Sequence, residues 1–364
     1  MSVSRAATHE VDDFYEAIEY FHRQGWTDGL PVVPPTPALV DAFLAAGGLR
    51  PEQAIGYYAL RNRPIIAEKL AVNAVMAGCL PEHFPVVVAI VEAMLEPEFQ
   101  LHIINSSTGS PVVGFIVNGP IRLALGMNSY GNMLGPGNRA NSSIGRAIRL
   151  IQINVMGSIP GAGSPGDTEA TPALDRATMG EPAKYAAYHV VENEEDFPTL
   201  TPLHVERGFA PGQSTVTVLP LWEHLMLSNH AEETPEEWID STAKYLIGAG
   251  RLMDDCFGAL LLPQEAAQLF VAAGWDKGDI RRALFERCQH STAWVKEQGW
   301  KIGGRFVRGG PVLDGDEEEM LSITASPDDL LVVVCGGPAG NFPVYLHPFG
   351  AACWPVTKVI GGPQ

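Results

Sequence analysis

The chain is short of positive charge: 24 Lys and Arg stand against 42 Asp and Glu, a formal net charge of -18. Nucleic acids and anionic membranes are gathered by positive potential, so neither is expected as a partner. A local basic pocket is still compatible with this balance. Cysteine is scarce too, with five residues (Cys79, Cys256, Cys288, Cys335, Cys353), widely spaced and without a CxxC pair. That argues against a disulfide framework or a zinc ribbon, and the thiols are expected to be reduced. No apolar run reaches the roughly 18 residues of a membrane span. Met1 to Glu10 lacks the apolar core of a secretory signal, so a cytoplasmic location is expected. Walker A and HExxH patterns are missing and the Gly135 stretch is not a GxGxxG fingerprint, so no tightly bound NAD or ATP is expected.

What is present is enough apolar material, 46% of 364 residues, for one large or two ordinary domains. One stretch stands out, Gly135-Pro136-Gly137-Asn138-Arg139-Ala140-Asn141-Ser142-Ser143-Ile144-Gly145-Arg146-Ala147-Ile148-Arg149. A glycine-rich turn runs into a helix, whose unbonded N–H groups and aligned dipoles hold about half a positive charge. Asn141 or Ser142 is expected to cap that helix, and Arg146 and Arg149 to share a face. This is the pattern of a carboxylate or phosphate site, with Asn138, Arg139, Asn141, Ser142, Ser143 and Arg146 as substrate-binding residues. The bland alternative, a glycine turn with an ordinary cap and arginines paired to local acids, stays open.

The N-terminal third reads as helical. Apolar residues at Phe14, Ile18 and Phe21 before Gly25 predict a short amphipathic helix. The proline-rich segment Trp26 to Pro37 is extended, and Thr36 with Pro37 starts a second helix that stops at Gly47-Gly48. Two very apolar helices follow, Pro64 to Ala77 and Pro81 to Leu95, placed inside the fold or at a subunit interface. They lead us to expect a homo-oligomer. Cys79 lies between them at a helix N-terminus, a position that can lower a thiol pKa, although a small buried turn residue explains it as well.

Leu101 to Asn105 and Val112 to Val117 read as strands, and the turns after them bring Asn105 and Asn118 forward as pocket residues. Gly157 to Pro182 reads as a long loop, an active-site cover or a subunit arm. A strand from Lys184 to Glu195 and the stretch Leu203 to Phe209 then hold the richest acid/base inventory: Glu192, Glu194, His204 and Glu206. On strands, Glu192 and Glu194 share one side, as do His204 and Glu206. Paired carboxylates can split their pKa values into acid and base roles. The same set could hold a divalent metal, although no diagnostic spacing supports one.

Beyond Pro220 a strand at Cys256 to Leu262, helices at Gln264 to Ala273 and Asp279 to Cys288, and a strand at Leu330 to Cys335 have the rhythm of a parallel βαβ unit. Asp314 to Glu319 reads as a solvated acidic loop. The expected fold is α/β, with mixed or parallel sheets flanked by helices in two subdomains, 1–220 with the anion loop and 221–364.

Three pieces carry a resemblance: Gly25-Trp26-Thr27-Asp28-Gly29-Leu30-Pro31-Val32-Val33-Pro34-Pro35-Thr36, the Gly135 to Arg149 stretch, and Glu192-Asn193-Glu194 with His204-Val205-Glu206-Arg207-Gly208-Phe209. Together they resemble an uncharacterised bacterial family associated with UGSC-motif proteins, some of which carry selenocysteine. The resemblance implies family membership and a UGSC-type protein as a partner, and it implies no reaction. Cys335-Gly336-Gly337-Pro338 is not a Cys-Gly-Ser-Cys motif, so redox chemistry does not transfer.

The expected function is an enzyme on a small anionic substrate, a carboxylate or acyl derivative, by lyase, hydratase or hydrolase chemistry. Glu192, Glu194, His204 and Glu206 move protons, with Cys79 as the alternative nucleophile. Two other readings stay open: a thiol redox enzyme using Cys79 or Cys335, and a non-catalytic binding subunit.

Overall fold

The computed structural model describes residues 6–59, 62–161, 175–229, 231–249, 256–298, 306–307, 310–311, 317–350 and 353–361. Half of the expected 157–182 loop and half of the 314–319 loop lie outside the described residues. Helix α1 (Phe14–Arg23) is capped by the Asp13 side chain, which accepts from the Glu16 N–H. Helix α2 (Pro37–Gly47) begins at Thr36 and ends at Gly48 with φ 62, where the absence of a side chain suits the left-handed turn.

Strand β1 (Ala54–Tyr58) pairs antiparallel with β2 (Arg63–Ile66), so Pro64 sits in a ribbon and does not open a helix. A two-stranded ribbon has free edges that tolerate a residue with no N–H to donate. Helix α3 (Ala67–Met76) follows, and α4 (Phe84–Met94) starts after a tight turn at Pro81–His83. Both are buried within this chain, α4 against α2, α3 and the sheet, so their apolar character is accounted for without a second subunit. The expected strand at Leu101 is helix α5 (Leu101–Ser106). Leu101 and Ile104 are buried three apart, and an apolar run this short has no readable period.

The remaining elements build one large sheet and its cover. In order they are β3 (Val112–Asn118), α6 (Ile121–Ala124), α7 (Arg139–Asn154), β4 (Tyr188–Val191), α8 (Leu203–Glu206) and β5 (Thr215–Met226). Then come α9 (Pro235–Gly248), β6 (Gly258–Leu262), α10 (Gln264–Ala272), α11 (Lys277–Arg287), β7 (His290–Ser291) and α12 (Thr292–Glu297). The short strands β8 (Phe306–Val307), β9 (Gly310–Pro311) and β10 (Met320–Leu321) precede β11 (Leu330–Val334), β12 (Val344–Pro348) and β13 (Val356–Val359).

The sheet runs β11-β6-β12-β5-β3-β4, with β13 also paired to β5. β6 and β11 are parallel, as the βαβ rhythm predicts, β3 and β4 are parallel, and the other pairs are antiparallel. This is a mixed α/β fold. The expected boundary at 220/221 falls in the middle of β5, which joins β3 on one side to β12 and β13 on the other. Alternation along the strands feeds two cores instead. Leu331 and Val333 of β11 face the core built on α3, α4 and α7, while Leu330, Val332 and Val334 face one built on α9, α10 and α11.

The sheet also curls. The Asn193 N–H, just beyond β4, donates to Val334 O at the end of β11 at 2.8 Å, so the two edge strands meet. No helix among the described residues is long and apolar enough to cross a membrane.

Candidate functional site

The Gly135 to Arg149 stretch is a structural hub. Asn138 caps α7 by accepting from the Asn141 N–H at 3.1 Å, which corrects the expectation of Asn141 or Ser142 as cap. Helix entry is earlier because Asn138, with extended φ and ψ, directly follows the Pro136-Gly137 turn, leaving Asn141 and Ser142 inside the first turn. Asn141 instead clamps Asn128, accepting from its N–H at 3.0 Å and donating to its carbonyl at 2.9 Å. Ser142 donates its backbone N–H to Asn138 O.

The arginines here hold the chain itself. Arg139 donates to Gly78 O at 2.9 Å, beyond the end of α3. Arg146 makes a two-pronged contact with Asp28 at 2.8 and 2.9 Å and adds Pro31 O at 2.8 Å, fixing the proline-rich segment. Arg149 and Lys184 both reach Asp175. Burial pushes the Asp175 carboxyl up, but the hydrogen bonds and charges of Lys184 and Arg149 outweigh it and hold it below the usual range.

The cysteines are not activated. Burial pushes the Cys79 thiol up to about 12, and Ser143 and Arg139 beside it offset only part of that rise. Ser143 also lies 3.5 Å from the His83 ring. Cys335 is raised by burial and by the nearby Glu192 charge. Both stay thiols at neutral pH, whereas nucleophilic and redox roles need thiolates.

A second cluster forms where the parallel strands β3 and β4 end, on the side where α/β sheets collect ligands. β3 ends at Asn118 and β4 leads directly into Glu192. Glu192, 1% exposed, pairs with Lys277, 2% exposed, at 2.6 Å. Its other oxygen accepts from Asn118 Nδ2 and from the Leu203 N–H. Glu194 accepts from Asn118 Nδ2 and from the Gly119 N–H, and pairs with Arg122 at 3.1 Å. The two carboxylates are therefore together, as expected, with Asn118 between them.

His204 and Glu206 lie on the helical turn α8, not on a strand, so they do not share a side. Pro202 precedes a turn only four residues long, too short to show a period in sequence. His204 is buried with Nδ1 3.9 Å from Glu194, while Glu206 turns toward Arg281 and Lys277. Within this cluster the buried atoms Asn118 Oδ1, His204 Nδ1 and Thr215 Oγ1 have no hydrogen-bond partner among the described residues. Thr215 lies opposite Asn118 across the β3 and β5 pair.

Glu206 opens on a cleft of about 620 Å³. Leu203, Phe209 and Leu331 form its apolar wall, and Arg207, Arg281 and Asp328 bring the other charges. The Glu206 side chain is 18% exposed. Burial lifts its carboxyl above the ordinary carboxylate range, with Glu192 adding to the rise, and outweighs the pull of Lys277 and Arg281. Lys277 and Arg281 were not visible as site residues in the sequence. Their i and i+4 spacing on α11, behind the Asp276 cap, is the only local sign that they share a face.

Among the described residues no group of three His, Cys, Asp or Glu side chains is arranged to hold a metal. A divalent ion at Glu192 and Glu194 would have to displace Lys277 and Arg122. No protein-family model matches the chain, and no curated protein is significantly similar to it.

Proposed function

We propose that the chain is a cytoplasmic enzyme acting on a small carboxylate or acyl derivative by acid/base chemistry in the cleft beside Glu206. The observation that carries this reading is Glu206 itself. A carboxyl group lifted above its ordinary range, largely enclosed but facing an open cleft, is suited to give and take a proton. Arg207 in the same cleft supplies a planar cation for the substrate carboxylate. Lys277, held by Glu192, stands 4.0 Å behind Glu206 and fixes the charge it faces. The proton step fits a lyase, hydratase or hydrolase. Anion binding shifts from Arg146, which is paired with Asp28, to Arg207, which lines the cleft with Glu206. The free cysteines Cys79, Cys288, Cys335 and Cys353 support a reducing compartment.

The test is turnover of a panel of small carboxylates and their thioesters followed by proton NMR. Glu206→Gln should lower the rate by roughly 10²–10⁴-fold, the usual worth of a positioned acid or base. Unchanged turnover in this variant would overturn the assignment.

A further inference from the structure

The charges that line the cleft are unequal in one respect, namely whether each already has a partner. Arg281 is paired with Glu206, and Lys277 behind them with Glu192. Arg207 donates to Thr357 Oγ1 at 2.6 Å and to Pro355 O at 3.4 Å, so its bonds go to neutral oxygens. Asp329 attracts it from a distance but is itself hydrogen-bonded by Ser326 Oγ at 2.7 Å. Asp328 faces the same cleft, exposed, and forms no ion pair with Arg207. The cleft thus presents one cation and one anion of its own that leave each other unpaired, beside a wall of Leu203, Phe209 and Leu331.

From this we infer that the substrate is a zwitterion with an apolar body, of the class of the apolar α-amino acids. The inference rests on the reading of this cleft as the active site. A carboxylate on Arg207 and an ammonium near Asp328 complement both charges, while the hydrocarbon body packs on Phe209, next to the nearly buried Leu203 and Leu331. A simple carboxylate would set Asp328 against a like charge. A phosphate or dicarboxylate would do so more strongly, because Glu206 and Asp328 balance the two arginines of the lining.

The experiment compares three probes with one body and different charges: L-phenylalanine, 3-phenylpropanoate and 2-phenylethylamine, each titrated calorimetrically into the full chain. L-Phenylalanine should bind at least about tenfold more tightly than either singly charged probe, the worth of a charge-assisted hydrogen bond. Asp328→Asn should erase its advantage over 3-phenylpropanoate, and Arg207→Met should weaken both carboxylates, with circular dichroism unchanged in each variant. Equal binding of L-phenylalanine and 3-phenylpropanoate, both still dependent on Arg207, overturns the zwitterion and leaves the carboxylate cleft standing. Failure of all three probes to bind, or binding indifferent to Arg207, overturns the cleft reading and this inference with it.

Discussion

The helix α7 stretch and the cleft beside α8 both gather polar and charged groups, and they use them differently. Around α7, Arg139, Arg146 and Arg149 all bind groups of the chain itself: Gly78 O, Asp28 and Asp175. Around α8, Glu192, Lys277, Glu194 and Arg122 are paired, but Arg207, bonded only to neutral oxygens, and Asp328 line the cleft without an ion pair between them. A glycine-rich loop with arginines is thus no guide to a ligand until it is known what the arginines already hold. A charge left over beside a cleft is the better sign.

The sharpest way to break this comparison is to remove one member of the most buried pair. Lys277→Met strands the Glu192 carboxylate in the interior and should cost about 3–5 kcal/mol in urea unfolding. The double variant Lys277→Met with Glu192→Met should recover most of that loss, because no charge is then left unpaired. Were the single and double variants equally unstable, packing rather than charge would explain the pair.

Arg146→Ala should cost about 2 kcal/mol through its charged hydrogen bonds to Asp28. Hydrogen exchange should quicken in the 26–36 segment, while probe binding in the cleft stays unchanged. Loss of cleft binding in this variant would show that the hub also serves the ligand.

The pH dependence should separate the regions by sign. Glu206 has a raised carboxyl pKa, so the folded state holds its proton more tightly than the unfolded chain does. Its contribution is therefore greatest below the ordinary carboxylate pKa and is lost as pH rises through the raised value. Asp175 is depressed, so its contribution is present above the ordinary carboxylate pKa and is lost as pH falls through the lowered value. Stability measured across pH should lose its decline on the rising side in Glu206→Gln and its decline on the acid side in Asp175→Asn. The smallest effect belongs to Arg139→Ala, about 1 kcal/mol for one exposed bond to a carbonyl, with cleft binding unchanged.

Much of the local architecture was legible. Thr36, Pro37 and Gly48 mark the ends of α2 by their own chemistry, and the β6 to β11 rhythm announces a parallel pair. Where the structure departs from the reading, the decisive force came from a distance. Pro64 looks like a helix opener until β1 claims it, and a four-residue turn such as α8 has no period to read. The carboxylates Glu192 and Glu194 are legible because they stand only two positions apart in sequence. Lys277 was not, because it meets Glu192 across 85 positions of chain and sits in an unremarkable helix start.

Strand β5 has a consequence for the timing of folding. It pairs with β3, which is made before it, but also with β12 and β13, and the Thr217 to Thr357 contact spans 140 positions. At roughly 5–20 residues per second of synthesis, one flank of β5 waits about 7–28 s for its partners. During that interval the half-built sheet exposes an apolar strand edge, and pairing over so long a stretch of chain favours slow folding.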